Sequence, residues 1–206
     1  SAEVFLRRVL EQPFPLLDDA PHVEAARALE ALARLRRKTA TLDEVTIARL
    51  RSMAQTIDPK RAEHRRNALA ALVAAQAVDP TTLDAVIDGG DPETRRLAMV
   101  SLAGAGSLVD DDRRLGYIRK ALADTSFMVR LEAVRAWARR TSPEHGCMPR
   151  LDATIDRNLH VALAAIEHID EMSRRMPRAG VGREARNHLL GDLDPVQPRR
   201  DAELAH

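Results

Sequence analysis

Aromatic residues make up only 2% of the 206 positions, so any core has to be assembled from Ala, Leu, Val, Ile and Met. Strands draw on β-branched and aromatic runs of period two, and no window longer than a few residues supplies one; an all-α protein is expected. Cysteine is reduced to Cys147, which excludes an internal disulfide and leans toward the reducing cytoplasm. Lysine is nearly missing, with Lys38, Lys60 and Lys120 alone. Arginine therefore carries the positive charge, and its planar fork suits bidentate pairing with carboxylate or phosphate, although a composition biased toward Arg and Ala is the plainer account. The formal net charge is +1, which gives no global push toward nucleic acid or an anionic membrane. No 18-residue apolar stretch is present, so no membrane span is expected. Val4-Phe5-Leu6 runs straight into Arg7-Arg8, which is no signal-peptide core, and a processed or excised piece of a longer protein would begin in the same way.

What the chain does have is a recurring apolar signature, Ala-aliphatic-x-small-large. It reads Ala28-Leu29-x-Ala31-Leu32, Ala68-Leu69-x-Ala71-Leu72, Ala98-Met99-x-Ser101-Leu102, Ala133-Val134-x-Ala136-Trp137 and Ala162-Leu163-x-Ala165-Ile166. Successive copies start 40, 30, 35 and 29 residues apart, the period of stacked helical pairs. A hairpin of helices keeps one apolar side uncovered until a neighbour stacks on it, so such copies are read together as one array.

Local punctuation agrees with that register. Asp58-Pro59, Asp79-Pro80 and Asp91-Pro92 each put a capping carboxylate before a proline suited to the first helical position, and Ser142-Pro143-Glu144 does so with a hydroxyl. Gly89-Gly90 and Gly104-Ala105-Gly106 are expected stops, where positive φ is tolerated. Between these marks the pattern predicts helices over 3–11, 21–38, 42–56, 60–77, 80–88, 92–104, 111–123, 126–140, 147–155, 158–175 and 181–190. The organisation that follows is a partial repeat or cap over 1–17, a repeat array over 18–176, and a short terminal helix with a mobile tail over 177–206.

The stretch Asp124-Thr-Ser-Phe-Met-Val129-Arg130-Leu-Glu-Ala133-Val-Arg-Ala136-Trp137 resembles a HEAT repeat, particularly the short bacterial type akin to phycobilisome-lyase-like proteins. Asp91-Pro-Glu-Thr-Arg95 through Leu102 and Leu16-Leu17-Asp18-Asp19-Ala-Pro21-His-Val23 look like further copies. The resemblance covers roughly residues 16–170 and implies a right-handed superhelix (solenoid) of about five HEAT-like hairpins. It also implies a ladder between adjacent repeats, in which turn carboxylates (Asp18 or Asp19, Asp91, Asp124) meet the following arginines (Arg65, Arg95, Arg130). Leu159 stands where the fifth ladder Arg would be, so the ladder is expected to stop there.

In that family the second helices line the concave side. With Ala133 and Trp137 taken as inward, the positions half a turn away form a ridge, which carries Arg27, Arg34, Arg66, Arg96, Arg135, Arg139, His160 and His168. An acidic segment of a protein partner is the natural complement, with a solvated helix face as the plainer reading. Chemistry finds less support. His160, Glu167, His168 and Glu171 share a side of one helix, but residues seven or eight apart lie roughly 11–12 Å from each other, too far for one metal. His145-x-Cys147 falls short of a zinc pattern, Gly180-Val-Gly182 lacks the third glycine of a dinucleotide loop, and no nucleophile elbow or phosphate loop is present. Trp137 stands where the repeat wants its large core residue, which argues against a base-stacking role. The resulting expectation is a non-catalytic interaction scaffold with no catalytic residue, cofactor or metal, a protein partner and no nucleic acid. A HEAT-fold enzyme or accessory, either a DNA-glycosylase-like nucleic-acid binder or a lyase-like chaperone, is the alternative.

Overall fold

Helix-capping chemistry accounts for most of the boundaries in the computed structural model, which describes residues 1–12, 20–36, 42–104, 108–140 and 152–175. The helices are α1 (Ala2–Glu11), α2 (Ala20–Arg36), α3 (Glu44–Ala54), α4 (Ala62–Ala75), α5 (Pro80–Ile87), α6 (Pro92–Ala103), α7 (Asp111–Leu122), α8 (Phe127–Arg140) and α9 (Leu159–Arg175). A short 3-10 turn, Pro59–Arg61, leads into α4. The described residues form no strand, and the protein is all-α as its composition predicts. Expectations for Asp18, Asp19, Ser142, Pro143, His145, Cys147 and Gly180, for most of the 147–155 helix, and for the 181–190 helix and the tail lie outside the described residues.

Each Asp-Pro pair does start a helical segment. Asp58 accepts from the Lys60 amide at 3.0 Å, Asp79 from Thr82 at 2.8 Å, and Asp91 from Glu93 and Thr94 at 3.1 Å. Asp43 and Asp110 cap α3 and α7 in the same manner, at 2.8 and 2.9 Å. Two stops work differently from expectation. Gly104 ends α6 at φ −73, so positive φ is not what glycine supplies there, and α4 ends on Gln76, a non-glycine residue held at φ 56. The amide of Ala77 returns to the Leu72 carbonyl at 2.9 Å, closing a Schellman-type cap. Glycine is required at Gly90, where an added Cβ would lie 2.5 Å from the Val86 carbonyl oxygen.

Two compact units divide the chain after Ile169; the packing that follows belongs to Ser1–Ile169, and in the second unit Arg174 pairs with Asp170 along the end of α9. Packing runs along the signature helices: α2 on α4, α4 on α6, α6 on α8. Partner helices alternate with them, α1 against α2, α3 against α4, α5 against α6 and α7 against α8. The larger core extends from Leu10 to Trp137, and a smaller one joins Val134 and Ala153 to Val161, Ala164 and Ala165 of α9. Copies two and four bury their full signature, Ala68, Leu69, Ala71 and Leu72 in one and Ala133, Val134, Ala136 and Trp137 in the other, and copy three buries all but the half-buried Ser101.

The end copies depart from the register. In α2 the buried set is His22, Val23, Ala25, Ala26, Leu29 and Ala33, while Ala28 is half-buried and Ala31 exposed. In α9 Ala162 and Ala165 are buried, but Leu163 and Ile166 are 45% and 50% exposed, and Val161 and Ala164 are buried instead. Alanine-rich helices tolerate such a rotation because several of their faces are small and apolar, so the neighbour decides which one is covered. No described helix is long and apolar enough to cross a membrane.

Candidate functional site

The turn aspartates and the arginines of α4, α6 and α8 form the inter-repeat ladder. Arg65 donates to Asp91 at 3.2 Å, Arg95 to both oxygens of Asp124 at 2.7 and 3.0 Å, and Arg130 to both oxygens of Asp156 at 2.6 and 2.9 Å. Each guanidinium also donates to backbone carbonyls before its own helix: Arg65 to Thr56, Arg95 to Gly90, Arg130 to Asp124 and Thr125. Thus one side chain ties two repeats and closes a helix entrance. Asp156 is a rung the sequence reading did not include, and no ladder arginine follows it, since Leu159 holds that position.

The carboxyls respond to these partners. Burial works to raise Asp91 and Asp124, but hydrogen bonds from Thr94 and Arg65 to the first, and from Arg95 and Ser126 to the second, outweigh it and leave both below the ordinary carboxylate value. For Asp156 the Arg130 bond is the dominant influence, with the same net direction. A second row escaped the sequence reading: Arg7 donates to Asp43 at 3.1 Å, and Arg51 lies 3.2 Å from Asp79 while donating to the Ala77 carbonyl. Its signal is an arginine 28 or 36 residues ahead of a capping aspartate. These groups are neutralised and structural.

The ridge arginines fare differently from one another. Arg27 bridges Glu24 and Glu63, both at 2.9 Å, and reaches Asn67 at 3.2 Å. Arg96 grips Glu93 with two bonds of 2.7 and 2.8 Å, which lower the Glu93 carboxyl. Arg135 holds Glu132 at 2.9 Å, and Arg34 holds Glu30 at 2.5 Å. Arg66 bonds the Ala62 carbonyl and its field helps hold Asp91 and Glu93 ionised. Most of the ridge is therefore a self-paired, nearly neutral surface, as a solvated helix face would be.

At its C-terminal end Arg139 is the exception. Arg34, Ala74, Gly104 and Arg139 occupy the same position in four successive signature helices, and all four line one cleft of about 360 Å³. Val73, Gln76, Val78, Val100, Ser101 and Ala103 complete the wall. The small residues of α4 and α6 leave the space, and the guanidiniums of α2 and α8 stand at its margins. Arg139 is exposed and makes no hydrogen bond or ion pair with a described residue. Among the described residues the cleft lining contains no carboxylate. It can hold a small acidic group against an apolar floor.

His160 and His168 do not line this cleft: His160 is exposed and His168 half-buried on α9. Trp137 is fully buried, as its place in the signature predicts, so it offers no stacking surface. No group of three or more metal-ligating side chains is found among the described residues. The chain matches no known protein family and no curated protein.

Proposed function

We propose that the chain is a HEAT-like α-solenoid working as a non-catalytic interaction scaffold, and that its concave side takes an acidic segment of a protein partner. One observation carries the reading: equivalent positions of α2, α4, α6 and α8 converge on a single cleft with Arg34 and Arg139 at its margins. A repeat array builds a binding groove by presenting the same position from successive units. Here two of those positions are arginine and two are small. The cleft then seats a Glu or Asp side chain by charge-assisted bonds while small apolar neighbours on the peptide rest on Val73 and Val100. Arginine is suited to this because its fork is pre-organised for a carboxylate. The single cysteine fits a cytoplasmic setting.

A fluorescein-labelled peptide of alternating Glu and Ala is the probe. Saturable anisotropy is expected with the full chain, falling at least tenfold in affinity when Arg34 and Arg139 are both changed to Glu, with helicity unchanged. Equal binding by that variant, or no saturable binding by the parent chain at low salt, rejects the reading.

A further inference from the structure

On α9 three large aliphatic residues left outside the core form an apolar row. Leu159, Leu163 and Ile166 are 67%, 45% and 50% exposed and, at positions i, i+4 and i+7, fall within roughly a 60° arc of the helix. Val161 and Ala165, on the opposite side, are buried against Val134 and Ala153. The ladder has no arginine here, because Leu159 stands in its place, so this side of the last described helix is apolar where the earlier helices present a charged rung. Large aliphatic side chains in a row on an exposed helix mark an interaction surface.

The charges beside the face specify its occupant. His160 and Glu167 are both exposed and flank the same edge of the row, equally distant from a point between residues 163 and 164. A helix crossing antiparallel about a two-fold axis through that point places Leu163 against its own copy. It also sets each His160 opposite the other chain's Glu167, giving two matching pairs per dimer. We infer that α9 is a self-association helix, the second copy of this chain packing antiparallel on the Leu159–Leu163–Ile166 face.

This inference is independent of the concave-side reading, since neither the cleft nor its arginines belong to α9. Sedimentation of the full chain over a range of concentrations should give a monomer–dimer equilibrium. Leu163→Glu should yield monomer with unchanged helicity. His160→Glu should weaken the dimer roughly tenfold by opposing two pairs of carboxylates, and adding Glu167→Arg should restore it. Within one helix these two residues stand about 10.5 Å apart, so the restoration reads a contact between chains. A parent chain that stays monomeric, whether its own later segment or a different protein covers the face, overturns the inference. So does a Leu163→Glu dimer or a charge swap that fails to restore association.

Discussion

The middle helices α4, α6 and α8 and the end helices α2 and α9 carry the same apolar signature, yet only the middle ones obey its register. Each middle helix contributes one arginine to the ladder. At α2 and α9 the ladder position is Ala25 or Leu159, and the buried side is rotated. An apolar pattern shows that a helix has a covered face. In the middle helices a buried ion pair that tolerates little displacement fixes which face it is.

That contrast is broken most directly by one substitution made at two copies. Ala136 is fully buried and the corresponding Ala31 exposed. Ala136→Asp should destabilise by about 3 kcal/mol or more through an unpaired charge in the seam, whereas Ala31→Asp should stay within about 0.5 kcal/mol in chemical denaturation. Equal costs would mean that the register is not rotated in α2.

Next in size is the ladder. Removing Asp124 by Asp124→Ala strips the bidentate partner from Arg95 and the cap from Ser126, and should cost on the order of 2–3 kcal/mol. Deleting the exposed Glu24 partner of Arg27 should cost about 0.5 kcal/mol or less. The ladder carboxyls lie below their ordinary value of 3.8 when folded. Their contribution is therefore complete above the unfolded-state carboxylate range and is lost as pH falls through the lowered folded values. Asp124→Ala should flatten this acid limb of the stability profile, and an unchanged limb would place the acid sensitivity elsewhere.

The smallest effect concerns the end of α4. Gln76→Gly removes a side chain from a left-handed backbone and should raise stability by about 0.5–1 kcal/mol, measured as a higher denaturation midpoint. A loss would show that the Gln76 side chain supports the cleft wall it lines.

Much of this architecture was legible because helix starts are written in local chemistry. An aspartate before a proline satisfies an exposed amide and presets φ within two residues, so Asp79-Pro80 and Asp91-Pro92 mark α5 and α6 without reference to the rest of the chain. The Gln76 stop carried no such mark, since the cap there is made by the Ala77 amide and any residue but proline can supply one. The Arg34 and Arg139 members of the ridge were legible from the repeat alignment. Their meeting in one cleft was not, because it depends on how α2, α4, α6 and α8 pack together.

Composition and capping residues thus determined an all-α chain and the positions at which most helices begin. Tertiary structure decided which side of α2 and α9 is buried, which arginines are tied to a neighbouring helix and where an open cleft remains. The physical reason is range. Caps, periodicity and ridge pairs three or four residues apart act within a turn or two, whereas the ladder pairs and the bonds from Arg27 to Glu63 and Asn67 join residues from 26 to 40 positions apart, whose meeting depends on how the helices stack.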